Sequence, residues 1–421
     1  MQENNNKFDV VVIGGGPAGM MAAIKAGQSG ASVALLEKNE TLGSKLLLTG
    51  GGRCNITNST FNEKELAQQY GKEGFFLLHA LSVFGVEKTI AFFNKNGLKT
   101  KVEKDGKVYC ATNKANDALK VLIYLLRNNE VTVINNSKIK EIKSKANQIS
   151  KVILDNGKEV IAKNYILATG GKSYPHTGST GDGYAFAEKL GHKIEKLRPA
   201  LVPIKIKNEW VKKAQGLSLA DAKLDIYLNH KKDFSISGEI MFTHYGLSGP
   251  VILGISEEIG NLLEKGNVTI ALDLNSNLTP EALDKIIQNY FTQNINKTLK
   301  NCLTEILPSK LIPIIIELSK TEANKKVNGI TKEERQRLVA TIKKLEMTVE
   351  GLLGFDQAMV TTGGVSLKEI DAKTMKSKII KNLFFAGEVI NLHGPTGGYN
   401  LQACWSTGYL AGQSATIDKN T

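Results

Sequence analysis

The chain has 421 residues, a formal charge of +13 at neutral pH and an apolar fraction of 42%. Together these exclude a disordered or collagen-like polymer and leave room for more than one hydrophobic core. No apolar run approaches the roughly 18–20 residues needed to cross a bilayer, so no membrane partner is expected. The polar start Met1–Lys7 carries no basic segment followed by an apolar stretch, and the chain reads as cytoplasmic without a signal peptide. Cys54, Cys110, Cys302 and Cys404 lie far apart with no paired spacing, which argues against a disulfide framework and against a metal site. No residue pattern specifies an oligomeric state.

Phe8–Ile13 is a β-branched run bounded by glycines, the pattern of a buried parallel strand. Pro17–Ser29 reads as a helix and Ser32–Glu37 as the next strand, which makes a βαβ unit. Glu63–Asn96 is mostly helical, with Phe75, Leu78, Leu81 and Phe84 at helical spacing. A hairpin is expected over Lys99–Cys110 around Asp105-Gly106, then a helix over Asp117–Asn128. Val131–Ile134, Ile139–Ile142 and Val152–Leu154 read as strands, with Asp155-Asn156-Gly157 as a turn. Tyr165–Ala168 is a strand running into Thr169-Gly170-Gly171, and Gly183–Leu190 opens a helix.

After about Leu197 the texture changes to short strands, at Leu201–Ile206, Lys223–Leu228, Glu239–Phe242 and Val268–Leu274. Thr279–Leu345 then has helical periodicity, opened by Thr279-Pro280-Glu281 and again by the capping signal Thr331-Lys332-Glu333-Glu334. Its cations Lys325, Lys326, Lys332, Arg335, Arg337, Lys343 and Lys344 read as a solvated helix face. Strands return from Met347, and Leu383–Gly387 repeats the opening pattern. The expected organisation is an α/β dinucleotide domain from residues 1–195 and 355–421. It is interrupted by a β-rich insertion (196–278 and 346–354) and a helical insertion (279–345).

Gly14-Gly15-Gly16-Pro17-Ala18-Gly19 fits G-x-G-x-x-G between a strand and a helix. Gly14 permits the tight turn, Gly16 lets backbone approach a pyrophosphate, and Gly19 lets the helix pack on the sheet. The helix start offers free N–H groups and partial positive charge to phosphates. Glu37 ends the second strand, where a carboxylate accepts hydrogen bonds from ribose hydroxyls.

The charge is uneven. Between Lys138 and Lys232, 19 Lys and Arg stand against 9 Asp and Glu. Such a stretch either attracts a polyanion such as RNA or reflects a chain rich in Lys and Asn throughout. Aromatic residues within it are sparse, so stacking platforms are not evident there.

Four blocks resemble the HI0933-like flavoproteins: Glu37–Asn58 (EKNETLGSKLLLTGGGRCNITN), Leu167–Gly191 (LATGGKSYPHTGSTGDGYAFAEKLG), Gly238–Leu253 (GEIMFTHYGLSGPVIL) and Leu383–Gly412 (LFFAGEVINLHGPTGGYNLQACWSTGYLAG). The resemblance spans nearly the whole chain and implies a Rossmann-type FAD domain, glutathione-reductase-like, with two inserted subdomains. It makes Gly14, Gly16, Pro17, Ala18, Gly19, Glu37 and Lys38 contacts of the ADP half. Lys45, Gly51, Gly52 and Arg53 would lie along the pyrophosphate and flavin. Ala168, Thr169 and Gly170 would pack on the cofactor, and Gly387 and Glu388 would meet the ribityl chain. Gly397, Gly398, Tyr399 and Asn400 precede a last helix whose N-terminus would stabilise the negative N1/O2 edge of a reduced flavin. With one fingerprint present and no second for a nicotinamide, an NAD(P)H donor would dock transiently, or electrons would come from elsewhere.

The proton-transferring candidates are Cys54, beside the cation Arg53 that would lower its pKa, and His176 and His244 within family blocks. Cys54 reads as a general acid, a redox partner or merely a small buried residue. Tyr174 and His393 are weaker candidates, and Cys404, beside Trp405, reads as core. The resemblance implies three substrate classes: uridine in 23S rRNA, unsaturated steroid-like acids, and small amines. For the first, hydride would pass from flavin N5 to uracil C6 while an acid protonates C5, a role suited to Cys54. That reaction is the leading expectation for this chain, with small-molecule reduction or oxidation as the alternative. A further alternative is a non-catalytic flavin sensor.

Overall fold

The computed structural model describes residues 7–417, so most of the polar start and the last four residues lie outside the described part. The chain divides into two compact units, one from both chain ends (up to Ala200 and from Phe355) and one comprising Leu201–Gly354.

In the first unit, β1 (Lys7–Ile13) leads through α1 (Pro17–Gln28) to β2 (Val33–Leu36). The strands pair in parallel with Val10 opposite Val33 and Ile13 opposite Leu36. Val10, Val11, Val12, Ala34 and Leu35 are wholly buried, as strands covered on both faces must be. A small antiparallel sheet follows, with β3 (Asn55–Asn58) beside the hairpin of β4 (Thr100–Val102) and β5 (Lys107–Cys110). Between them, the apolar bent pair Gly71–Val83 and Val86–Lys95 buries Leu81 and Phe93. No single helix among the described residues is long and apolar enough to cross a membrane.

The main sheet adds β6 (Thr132–Ile134) outside β2, and β7 (Ile139–Lys145), β8 (Gln148–Leu154) and β9 (Glu159–Leu167) on the other side. The order is β6-β2-β1-β9-β8-β7, and the late strand Leu383–Phe385 lies parallel to β9. β9 is longer than the Tyr165–Ala168 read from sequence. Its first half forms an antiparallel hairpin with β8, where Val152 faces Val160, and the polar Glu159 and Lys163 there stand in solvent, masking the strand pattern. Ile194–Ala200, not expected as a strand, pairs with Val360–Val365 and belongs with this unit.

The final helix, Tyr399–Ser414, packs along α1. Its Gly408 and Gly412 leave room for Ala18 and Ala22: a Cβ at either glycine would fall on those residues' carbonyl oxygens. The first and last helices are thus joined by small residues four apart on each.

The second unit is a closed six-stranded antiparallel barrel with helices. Barrel residues Leu224, Ile226 and Ile270 share one core with Leu283, Ile287, Ile315 and Leu338 of the helices. Thr279 caps Pro280–Gln293, and Thr331 with Glu334 forms the expected capping box at Lys332–Lys343. Helical structure between them is interrupted, with only the short helices Leu299–Cys302 and Ile312–Leu318 and two 3-10 turns, since Pro308 and Gly329 punctuate the segment. The helices Pro250–Gly254 and Ser256–Leu263 escape a sequence reading because Val251 and Ile252 imitate a strand.

Candidate cofactor site

The turn from β1 into α1 is shaped by what its glycines exclude. Gly14 is left-handed at φ 107°, and a Cβ there would strike the backbone of Ala168. At Gly19 a Cβ would overlap the Gly14 carbonyl, whereas at Gly16 it would meet nothing within 4 Å. Gly14 and Gly19 therefore serve packing, and Gly16 leaves an open face at the N-terminus of α1. Pro17 starts the helix without losing a needed donor.

A cavity runs from this turn across the first unit. Its wall includes Gly14, Gly16, Pro17, Ala18, Glu37 and Lys38 from the early segment, and Gly387, Glu388 and Asn400 from the late one. Lys45, Ala168, Thr169 and Gly170 complete it from the middle. At the β2 end, the buried Glu37 carboxylate accepts from Gly15 N at 2.7 Å and Asn39 N at 2.8 Å. Those two bonds fix its orientation while each oxygen keeps a lone pair for a ribose hydroxyl. Lys38 Nζ bonds Thr180 Oγ1 at 2.5 Å and Asp182 Oδ2 at 2.6 Å, and Asn39 Nδ2 donates to Thr177 O at 3.0 Å. The loop after β9 is thereby tied to the end of β2.

In the middle of the wall, Lys45 Nζ lies 2.7 Å from Glu388 Oε2 and 2.6 Å from Ser173 Oγ. The other oxygen, Oε1, accepts from Thr361 N at 2.8 Å and Ser173 Oγ at 3.0 Å. Cys404 is also a wall residue, not the core residue expected from its neighbour Trp405. Burial, then the Glu388 charge, pushes its thiol up to about 12, so it stays a neutral S–H.

At the far end, the final helix is held by β3. Asn58 Nδ2 donates to Gly397 O at 3.1 Å, Thr57 Oγ1 bonds Gln402 Oε1 at 2.6 Å, and Trp405 Nε1 donates to Ile56 O at 2.9 Å. Gly398 is left-handed because a Cβ would fall on Thr57. Tyr70 Oη donates to Tyr399 O at 2.7 Å. Gly397, Gly398 and Tyr399 thus brace this helix start, while Asn400 reaches the cavity wall and bonds both N–H and C=O of Gly394 at 2.9 Å.

The glycine loop before β3 has consecutive left-handed residues Gly50, Gly51 and Gly52, and Thr49 lines the cavity. Arg53 turns away: Nη1 pairs with Glu103 at 2.8 Å, and the guanidinium stacks 3.9 Å above the Tyr109 ring centre.

The structure revises the setting of the acid–base candidates. Cys54 is wholly buried behind the wall. A hydrogen bond with the Cys110 thiol, reinforced by burial, raises it well above the ordinary thiol range, the reverse of the lowering expected from Arg53. His176 is exposed beside Thr177 and Gly178, wall residues packed on Asn39. It therefore stands at the Glu37 end, away from the final helix. His244 is exposed in the second unit, its ring 4.6 Å from that of Tyr245. Ser173, Thr361 and Asp182 escaped the sequence reading; only the SYPHTGSTGD loop chemistry hinted at Ser173 and Asp182.

The open face at Gly16, the N–H groups of α1 and the Glu37 carboxylate suit the ADP half of a dinucleotide. The cavity's continuation to the final helix suits an extended partner for that half. A family model described as the HI0933-like protein Rossmann domain matches residues 8–414. The chain is 35% identical over 410 residues to a 3-dehydro-bile acid delta(4,6)-reductase of Clostridium scindens, covering 96% of this chain and 98% of that one. It is 29% identical over 417 residues to a ribosomal RNA dihydrouridine synthase of Escherichia coli, covering 99% and 100%. Among solved structures, a 3-ketosteroid-delta4-(5alpha)-dehydrogenase from Rhodococcus jostii shares the fold with a TM-score of 0.54 at 16% identity, covering 99% and 98%.

Proposed function

The chain belongs to the HI0933-like family of FAD-dependent oxidoreductases, and from that premise we propose that it reduces a carbon–carbon double bond conjugated with a carbonyl, in a uridine of 23S rRNA. The C5–C6 bond of uracil and a 4-ene beside a 3-oxo group share that conjugation, so one hydride-and-proton chemistry serves both. When bound, the reduced flavin supplies the hydride at N5.

The protein's own part is binding and electrostatics. Gly16 and the start of α1 receive the pyrophosphate, and Glu37 holds the ribose. Lys45 and Glu388 keep a fixed charge pair at the ribityl stretch. The start of the final helix, braced by β3, aims N–H groups at the end of the cavity, where they stabilise developing negative charge. NAD(P)H is proposed as the electron donor, docking transiently.

The observation that supports RNA as substrate is the charge of +13, since phosphate contacts supply much of the affinity for nucleic acid. Mass spectrometry of rRNA nucleosides from cells with and without the gene tests it. Loss of dihydrouridine on deletion is expected, and intact modification overturns the reading. The 35% identity to a bile acid reductase favours a second reading, a small unsaturated keto acid. Anaerobic mixing of the reduced protein with such an acid or with unmodified rRNA distinguishes them by which one restores the oxidised flavin absorbance.

A further inference from the structure

Resting on the RNA reading above, we propose that the β4–β5 hairpin, flanked by Arg53 and Phe61, is the surface that receives the substrate's phosphates and stacks one of its unpaired bases.

The choice follows from which end of the cavity a substrate must reach. Glu37 marks the ribose end of the cofactor, so the reducible ring belongs at the opposite end, by the start of the final helix. β3 clamps that start through Asn58, Thr57 and Ile56, and β5 and β4 lie next to β3 in the same small sheet. The other basic hairpin, β7–β8, leaves from Ser137, whose N–H donates to Glu37 O at 2.9 Å. That hairpin lies at the ribose end, although it is the richer in lysine. Sequence charge alone pointed there and beyond.

The β4–β5 edge combines charge with an aromatic face. Arg53, Lys99, Lys101, Lys104 and Lys107 stand against only Glu103 and Asp105, and Lys99 and Lys104 are exposed. At the hairpin tip, Gly106 O accepts from Ser59 N at 2.7 Å, and two residues beyond Ser59 the Phe61 side chain is 59% exposed. An apolar ring left in water beside cations has the make-up of a single-strand binding platform, where bases stack and the backbone meets lysines. Arg53, seated on Tyr109 and paired with Glu103, holds the hairpin to the glycine loop behind the cavity wall.

The test uses the full-length protein with FAD bound and an unmodified 23S rRNA transcript, with affinity measured against salt. Three proteins are compared with wild type: Lys99→Ala/Lys104→Ala/Lys107→Ala, Phe61→Ala, and a control, Lys140→Ala/Lys145→Ala/Lys158→Ala, on the β7–β8 hairpin side. The first is expected to flatten the slope of log affinity against log salt by roughly 2–3, at somewhat under one per lost phosphate contact. Phe61→Ala is expected to weaken binding by roughly 5- to 150-fold with the slope unchanged. The control keeps its slope, and all retain flavin colour. If wild type binds RNA and the first two variants bind as it does, or the control alone loses slope, the hairpin assignment is overturned. If wild type does not bind the transcript, the RNA reading itself fails.

Discussion

Lys45 and Glu388, 343 positions apart in the chain, meet at 2.7 Å in the cavity wall. Each is mostly shielded from solvent, with side-chain exposures of 21% and 15%, so removing one leaves the other charged, poorly hydrated and unpaired. Lys45→Met or Glu388→Gln is therefore expected to cost about 2 kcal/mol of stability. The double variant should lose less than the two losses added. Urea unfolding of the four proteins without cofactor checks this, and strict additivity would show that the pair does not interact.

The glycines of the first turn should separate binding from folding. Gly16→Ala adds a methyl into open space and is expected to fold with near-native stability but to lose most of its FAD. Gly19→Ala drives a methyl into the Gly14 carbonyl and is expected to be strongly destabilised, by about 3 kcal/mol. Flavin content per folded protein, with thermal melts by circular dichroism, distinguishes them; equal melts would refute the division of roles.

The two thiols near the cavity differ from what sequence suggested. With Cys54 protonated and buried behind the wall, Cys54→Ala is expected to keep both colour and turnover, at about 1 kcal/mol in stability. Iodoacetamide at mildly alkaline pH should leave Cys54 unmodified until urea is added. A colourless or inactive variant would return Cys54 to the reaction.

Cys404 gives a pH signature. Its folded value of about 12 lies above its ordinary 9.0, so above that ordinary value the unfolded chain loses a proton that the folded chain keeps. Stability from this group is complete below pH 9.0 and declines towards about 12, at about 1.4 kcal/mol per pH unit. Cys404→Ala should lose stability less steeply than wild type across this window. Parallel curves would place the thiol in water.

The dinucleotide turn was legible because Gly14, Gly16, Gly19 and Glu37 carry their demands in local sequence: a strand before, a helix after, an acid at the next strand's end. The Lys45–Glu388–Ser173–Thr361 cluster was not, because hydrogen bonds between distant segments leave no periodicity to read. Cys54 shows the complementary error. Its neighbour Arg53 in sequence points to Tyr109 and Glu103, and its real partner, Cys110, comes from another strand. Barrel and helices looked like separate insertions because their texture differs, yet the core residues Ile226 and Leu338 belong to one cluster.

The embrace of Ala18 and Ala22 by Gly408 and Gly412 has a consequence for biosynthesis. During translation the opening βαβ segment emerges hundreds of codons before its closing helix, so its apolar flank waits uncovered while the barrel is made. Cofactor capture then waits until the helix that supplies Asn400, Cys404 and Thr407 to the cavity wall has been made. Flavin-starved cells should accumulate a protease-sensitive apoprotein.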